Sequence, residues 1–385
     1  MVEMKEIKSS FDIELNRRDT GSIKWNKYKD QTILPMWVAD MDFRSPEPVI
    51  KALQQRVQHG VFGYTGPTEE LVGMIIDRLE KKYHWKVEPD WLVWLPGLVS
   101  GLNICCRAVG SSGDKVVTTI PVYPPFLSAP DNMERTLTTS NMVLNQTRWE
   151  FDWDRLQTSL DSRSKLFLLC NPHNPLGRIF SEQELRQLAE ICVKFDMVIC
   201  SDEIHCDLIL DKHKRHIPFA TLSPDIAERT ITLMSPSKTF NIAGLGLSFV
   251  VISNERLRHS FIKAKQGIVP YPNLMGYTAA YAAYNDGGPW LNNLLDYLSV
   301  NSRLVYDRIQ STSLSTSPVE ATYLAWIDAR SLELDDPYHY FEKAGIGFSN
   351  GAEFGAPGFL RLNFGCPRSM LKAALERVEE AIKSL

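Results

Sequence analysis

Five short apolar runs in this chain each stop at polar, glycine or proline residues, and helix-like segments separate them. Trp91-Leu-Val-Trp-Leu95 stops at Pro96-Gly97, and Val116-Val-Thr-Thr-Ile120 at Pro121-Val-Tyr-Pro-Pro125. Leu166-Phe-Leu-Leu-Cys170 stops at Asn171-Pro-His-Asn-Pro-Leu-Gly177, and Met197-Val-Ile-Cys200 at Ser201-Asp-Glu-Ile-His205. The fifth run, Thr230-Ile-Thr-Leu-Met234, stops at Ser235-Pro-Ser-Lys238. Runs apolar on both faces and alternating with helices predict an α/β fold with a parallel sheet covered on each side. The carboxyl ends of such strands share one edge, where ligands bind. The pattern therefore predicts a single site to which every run contributes.

Between the runs, helical periodicity covers 49–59 and 69–83, and a helix starts at Leu98. The G-V-F-G-Y-T-G-P stretch over 60–67 is a break that exposes Tyr64. Ser181 and Glu184 form a capping box ahead of one apolar face made of Leu185, Leu188, Ala189 and Cys192. Beyond Ile262 the pattern changes to long helical segments over 273–309, broken near Asp286-Gly-Gly-Pro289. Strands at 322–327 and 359–364 and a final helix over 369–383 follow, predicting a smaller α+β domain. The expected organisation is an N-terminal arm (1–45) packing on the small domain, a large domain (46–280) and the small C-terminal domain (281–385).

Charge and cysteine usage narrow the partners. A net charge of −4 and a pI near 6.1 provide no electrostatic footprint for nucleic acid or an anionic membrane. Residues 1–18 are studded with charge and lack the apolar core of a secretory signal. The seven cysteines include no C-x-x-C pair, which suits buried, reduced thiols in a cytoplasmic protein. Cys200, Asp202, His205 and Cys206 lack zinc-finger spacing, so no metal is expected. A small soluble ligand is the expectation.

The strand ends carry chemistry that converges on an aldehyde cofactor. Lys238 can form a Schiff base, although a loop lysine is ordinarily a solvated charge. Asp202 at a buried strand end needs a partner, met equally by a pyridinium nitrogen, a helix cap or a salt bridge. Gly97 and Gly101 flank free N–H groups at a helix start, which suit a phosphate. Ser235 and Ser237 add hydroxyls, with turn formation as the plainer use. Tyr123 can stack on a ring or on the core, and Asn174 lies in a loop restricted by two prolines. Arg361, among apolar neighbours, suits a bidentate carboxylate, whether ligand or structural aspartate.

Taken in order, Gly97-Leu-Val, Tyr123, Asn171-Pro-His-Asn-Pro-Leu-Gly177, Asp202-Glu-Ile-His205, Ser235-Pro-Ser-Lys238 and Arg361-Leu-Asn-Phe resemble the class I/II aminotransferase superfamily, the pyridoxal-phosphate (PLP) enzymes of fold type I. L-P-M-W-V-A-D-M-D-F, G-Y-T-G-P, S-D-E-I-H and S-K-T-F-N-I-A-G narrow the likeness to the cystathionine β-lyase or C–S lyase branch, of the MalY/PatB type that includes cystalysin. The likeness spans essentially the whole chain. It implies a mostly parallel seven-stranded sheet between helices, and PLP as cofactor. It further implies that Lys238 holds PLP and moves the Cα proton, that Asp202 pairs with the pyridine nitrogen and that Tyr123 stacks on the ring. Asn174 would approach the phenolic oxygen, with His205 also beside the cofactor, and Leu98, Val99, Ser235 and Ser237 would hold the phosphate. Tyr64 would reach the phosphate and the catalytic centre from the neighbouring subunit of a homodimer. Arg361 would grip the substrate carboxylate, and Trp37, Val38 and Ala39 would border the pocket.

Two positions depart from the aminotransferases: Gly246 stands where an arginine is common, and His205 where a tyrosine is usual. Both departures resemble the lyase branch. The implied reaction is α,β-elimination of cystathionine, cystine or an S-substituted cysteine to a thiol, pyruvate and ammonia. An aminotransferase using the same residues is the alternative within the superfamily. A regulatory or binding protein keeping the fold is the alternative of another class.

Overall fold

The computed structural model describes residues 9–28 and 32–385. The parts of the arm over 1–8 and 29–31, including the first eight residues of the charged N-terminal stretch, lie outside the described residues.

The large sheet is built from β1 (Leu92–Leu95), β2 (Lys115–Ile120), β3 (Thr136–Asn145), β4 (Arg148–Phe151), β5 (Ser164–Cys170), β6 (Val198–Asp202), β7 (Thr230–Met234) and β8 (Ser248–Val251). Their order across the sheet is β1-β8-β7-β6-β5-β2-β3-β4. Strands β7, β6, β5, β2 and β3 run parallel, while β8 is antiparallel to both its neighbours and β4 is antiparallel to β3. The sheet therefore has eight strands, one more than the seven expected. The extra edge strand comes from the β3–β4 hairpin, whose half-exposed, polar-rich residues lack the continuous apolar run that marks a central strand.

Alternation along the strands explains why both faces are covered. On β5, Leu166 and Leu168 pack with Leu102, Cys105, Ile231 and Phe261 on one face. Phe167 and Leu169 pack with Leu185, Leu188 and Cys192 on the other. The second set comes from the helix Glu182–Lys194, whose capping box forms as expected: the Ser181 hydroxyl accepts from the Glu184 N–H and the Glu184 carboxylate accepts from the Ser181 N–H. Register aligns Cys170 with Asp202, and Asp202 with Leu233, along the carboxyl edge.

A second, antiparallel sheet comprises β9 (Ser315–Thr316), β10 (Leu324–Asp328), β11 (Ser349–Asn350) and β12 (Phe359–Asn363), in the order β9-β10-β12-β11. It shares a core with the helices Gly288–Gln310 and Arg368–Lys383. The long helical stretch breaks at Gly287, giving Leu274–Asp286 and Gly288–Gln310, so position 280 falls inside a helix. Strand β10 begins two residues later than the sequence pattern suggests, because Thr322 has φ 75° and interrupts the extended backbone. The arm joins this half of the molecule: Leu34–Pro35 pairs in parallel with Ile346–Gly347, and Phe11 packs against Phe43, Trp290 and Tyr297. No helix among the described residues is long and apolar enough to cross a membrane.

Candidate active site

A cavity of about 280 Å³ opens at the carboxyl edge of the large sheet, between that edge and β12. Lys238, Asp202, Asn174, Tyr123, His205, Ser237, Leu98, Val99, Arg361, Val38 and Ala39 all line it. These residues come from every expected strand end and from the arm.

The floor is polar and under-partnered. Asp202 is buried, and its carboxylate accepts one hydrogen bond, from the Ile204 N–H at 3.1 Å. Burial pushes its carboxyl up to about 7, with the Glu203 charge adding to the rise and Lys238 opposing it. The Lys238 amine donates to the Ala39 carbonyl at 2.5 Å; burial lowers it to about 8, assisted by the Arg361 charge. His205 is buried with no partner for Nδ1, and burial, with Lys238 and Arg361 nearby, lowers its imidazole to about 3. It is thus neutral at ordinary pH.

At one end the helix Leu98–Ala108 begins at Gly97, which provides no side-chain cap. A Cβ at Gly97 would meet nothing within 4 Å, and Gly97, Leu98, Val99 and Ser100 all line the cavity, so the uncapped start of the helix borders it. Gly246 has φ 60°, and a Cβ there would stand 3.4 Å from the Pro96 carbonyl. A left-handed backbone in contact with the Pro96-Gly97 turn favours glycine over the arginine of the aminotransferase pattern.

At the other end Arg361 is buried, and no carboxylate forms an ion pair with it among the described residues. Its fork donates to Asn174 Oδ1 (2.9 Å), the Trp37 carbonyl (2.8 Å) and Ser349 Oγ (3.1 Å), while the Phe354 ring lies 4.8 Å from the guanidinium carbon. Burial lowers the guanidinium to about 10. With Oδ1 of Asn174 taken by Arg361, only its amide nitrogen is left to donate into the cavity.

Three expected residues stand apart. Ser235 does not line the cavity: its hydroxyl donates to the Leu247 carbonyl and accepts from the Ser237 N–H, completing the turn that aims Lys238. Trp37 contributes only its carbonyl, since its indole N–H donates to the Lys24 carbonyl. Tyr64 is fully exposed, at 112%, and reaches nothing in its own chain's cavity.

Supporting residues escaped sequence reading. The Tyr323 hydroxyl donates to the same Ala39 carbonyl that receives Lys238, and Ser349 buttresses Arg361. Behind Lys238, Thr239 donates to Asp207, which is also paired with Arg78 and Lys82. Burial alone would raise the Asp207 carboxyl, but the two cations hold it well below the usual range. Behind Asp202, Glu203 accepts from the Ser201 hydroxyl and the Phe219 N–H and meets His216 at 2.7 Å. Only the charge and short spacing of D-E-I-H-C-D hinted at this second layer.

The unpaired Asp202 carboxylate, the uncapped helix start and the buried amine together fit PLP. They match its ring nitrogen, phosphate and aldehyde. Among the described residues no group of three His, Cys, Asp or Glu side chains could hold a metal ion.

Residues 32–378 match the family model for aminotransferase class I and II. Cystathionine beta-lyase PatB of Bacillus subtilis (strain 168) is 36% identical, over 97% of this chain and 100% of its own length. The solved structure of OvoB superposes with a TM-score of 0.95 at 47% identity, covering 97% of this chain and 99% of that one. Cystalysin from Treponema denticola, whose crystal structure contains a pyridoxal 5'-phosphate cofactor, superposes at 0.93 with 33% identity, over 98% of this chain and 100% of its own.

Proposed function

This chain belongs to the class I and II aminotransferase family, in the cystathionine β-lyase branch of PLP fold type I, and from that premise we propose that it is a PLP-dependent carbon–sulfur β-lyase. The observation that carries the reading is the pairing, in one cavity, of a buried amine at Lys238 with a buried carboxylate at Asp202 that has no cationic side chain bonded to it. Bound there, PLP would supply an aldehyde to capture the substrate amine and a ring to accept the electrons left when Cα loses its proton.

Asp202 would keep the ring nitrogen protonated, which in turn would neutralise a carboxylate that is costly to bury alone. The start of the helix Leu98–Ala108 and Ser237 would hold the phosphate, and Tyr123 would flank the ring. Arg361 would seat the substrate α-carboxylate in its fork, leaving the Cα hydrogen toward the Lys238 amine. Burial lowers that amine to about 8 in the cofactor-free chain, which favours the neutral form a base needs to take the Cα proton. Breaking of the Cβ–S bond would expel a thiolate, which takes up a proton to leave as the thiol, and water would complete the conversion to pyruvate and ammonia.

A homodimer is part of the same reading. Tyr64, fully exposed beside exposed Val61 and Phe62, is free to enter a second copy's cavity and reach the phosphate there. The division into an arm (1–45), a large domain (46–280) and a small domain (281–385) belongs to it too. Seven buried, free cysteines favour a reducing, cytoplasmic setting.

The test is a product assay across cystathionine, cystine, cysteine and S-alkyl cysteines, reading pyruvate and free thiol together. Equal amounts of pyruvate and thiol are expected from cystathionine and the S-alkyl cysteines, with sulfide in place of the thiol from cysteine and a persulfide from cystine. Amino transfer to a keto acid without thiol release would replace lyase by aminotransferase.

A further inference from the structure

The strap of main chain over residues 37–43 forms one rim of the cavity, and side chains from distant parts of the molecule hold its carbonyls. Arg361 and Ser349 take the Trp37 carbonyl, while Lys238 and Tyr323 take that of Ala39. Asn363 donates to both the Val38 and Asp40 carbonyls, at 2.6 and 2.7 Å. Asn241 donates to those of Met41 and Phe43, at 3.0 and 2.8 Å. The strap belongs to no strand ladder along this stretch; besides the main-chain bond from the Asp42 N–H to the Gly365 carbonyl at 2.8 Å, these side-chain bonds set its place.

Its far end is clasped by charge. Asp42 is almost fully buried, and both of its oxygens are in use. Oδ1 accepts from Arg17 (2.7 Å) and the Trp25 indole (2.8 Å), and Oδ2 accepts from Lys24 (2.6 Å), whose side chain is wholly buried. Arg17 also grips Asp40, at 2.8 and 3.1 Å, and Lys24 donates to the Asp40 carbonyl at 3.2 Å. A buried ion pair is a poor source of stability compared with apolar packing, but its bonds fix a register that apolar contacts would not. Here the register that is fixed includes the Trp37 carbonyl, one of three acceptors orienting the Arg361 fork.

We propose that Asp42, clasped by Arg17, Lys24 and Trp25, is a positioning residue for substrate-carboxylate recognition: it anchors the strap that aims Arg361. The N-terminal segment is thus a working wall of the active site. The inference rests on the reading of Arg361 as the carboxylate seat.

The experiment compares holoenzyme carrying Asp42→Asn, Arg17→Ala, Arg17→Lys or Arg361→Ala with the unaltered protein. KM and kcat are measured on an S-conjugate of cysteine, and calorimetry gives the affinity for L-alanine and for ethylamine, its analogue without a carboxylate. For Asp42→Asn and Arg17→Ala, KM and the alanine Kd should rise about tenfold, with kcat and the ethylamine Kd within about twofold and Arg17→Lys falling between. Arg17 lies at the partly exposed edge of the clasp, so its variants carry the test if Asp42→Asn does not fold. Equal losses for alanine and ethylamine, or unchanged affinities despite a lower melting temperature, would reduce the clasp to a structural role and overturn the proposal. If Arg361→Ala itself leaves alanine binding intact, the carboxylate seat is wrong and both readings fall. If only the Arg361 variant loses alanine, the clasp alone is refuted.

Discussion

Across the cavity from each other stand two walls of different construction. In the wall bearing Asp202, Asn174 and Lys238, a continuous ladder places Asp202 (Cys170 opposite Asp202, Asp202 opposite Leu233), and short loops that leave neighbouring strands of the same sheet carry Asn174 and Lys238. The wall bearing Arg361, Val38 and Ala39 is a β-strand residue aimed by an irregular strap, and side chains hold that strap at nearly every carbonyl. The ladder wall is rigid because backbone bonds are repeated and buried. The strap wall depends on a few long-range bonds, any one of which a single substitution removes. Under the proposed function, the first wall would hold the groups that carry out the chemistry, and the second would decide how the substrate sits.

The comparison predicts a division between rate and affinity. The largest effect is expected at Lys238. Lys238→Ala should lower pyruvate release by about 10³-fold or more, the scale of a missing general base, and the loss should persist at saturating substrate. A variant that recovered its rate at high substrate would assign Lys238 to binding and erase the contrast.

A smaller effect tests the bracing of the ladder wall. Asp207→Asn leaves Arg78 and Lys82, both partly exposed to solvent, facing a neutral group, which should cost about 1–3 kcal/mol in denaturant unfolding, less than breaking a fully buried pair. Because the folded carboxyl titrates below its unfolded value, this stabilisation is fully present above the ordinary carboxylate range. It fades as pH falls through the lowered folded value. The wild-type advantage over the variant should therefore shrink in acid, and an advantage constant down to low pH would contradict the assignment.

The smallest effect concerns the Lys238 amine in the cofactor-free chain. Its pKa near 8 lies below the ordinary 10.5, so burial of the charged form costs stability below pH 8, and that cost is relieved as pH rises toward the unfolded value. Capture of PLP, followed by absorbance, needs the neutral amine. Its rate should rise about tenfold from pH 7 to 9 and level off, where an ordinary lysine would give about a hundredfold rise. The hundredfold rise would mean that the amine is solvated and the cavity wet.

Legibility followed the same division as the walls. Lys238, Asp202, Asn174, Tyr123 and the Gly97 turn could be read because each directly follows an apolar run, within a few residues of its strand. Ser235 takes the plainer of its two expected uses, turn formation, with its hydroxyl turned back to the Leu247 carbonyl. Strand β3 and the edge strand β4 went unread because half-exposed, polar strands carry little apolar signal. Ser349, Tyr323 and the Asp42 clasp left no local pattern at all.

By itself the sequence determined that the five apolar runs would point the same way in a covered sheet and that their polar termini would meet at one edge; that the buried strand β8 would insert antiparallel between β1 and β7 was decided by the tertiary structure. Only the tertiary structure decided what faces that edge. Arg361 meets a carbonyl 324 positions away and Lys238 one 199 positions away, and Lys24 reaches Asp42 in the interior. Such bonds join residues that share no helix, strand or turn, so no local periodicity encodes them. They form only once the two sheets have closed around the strap.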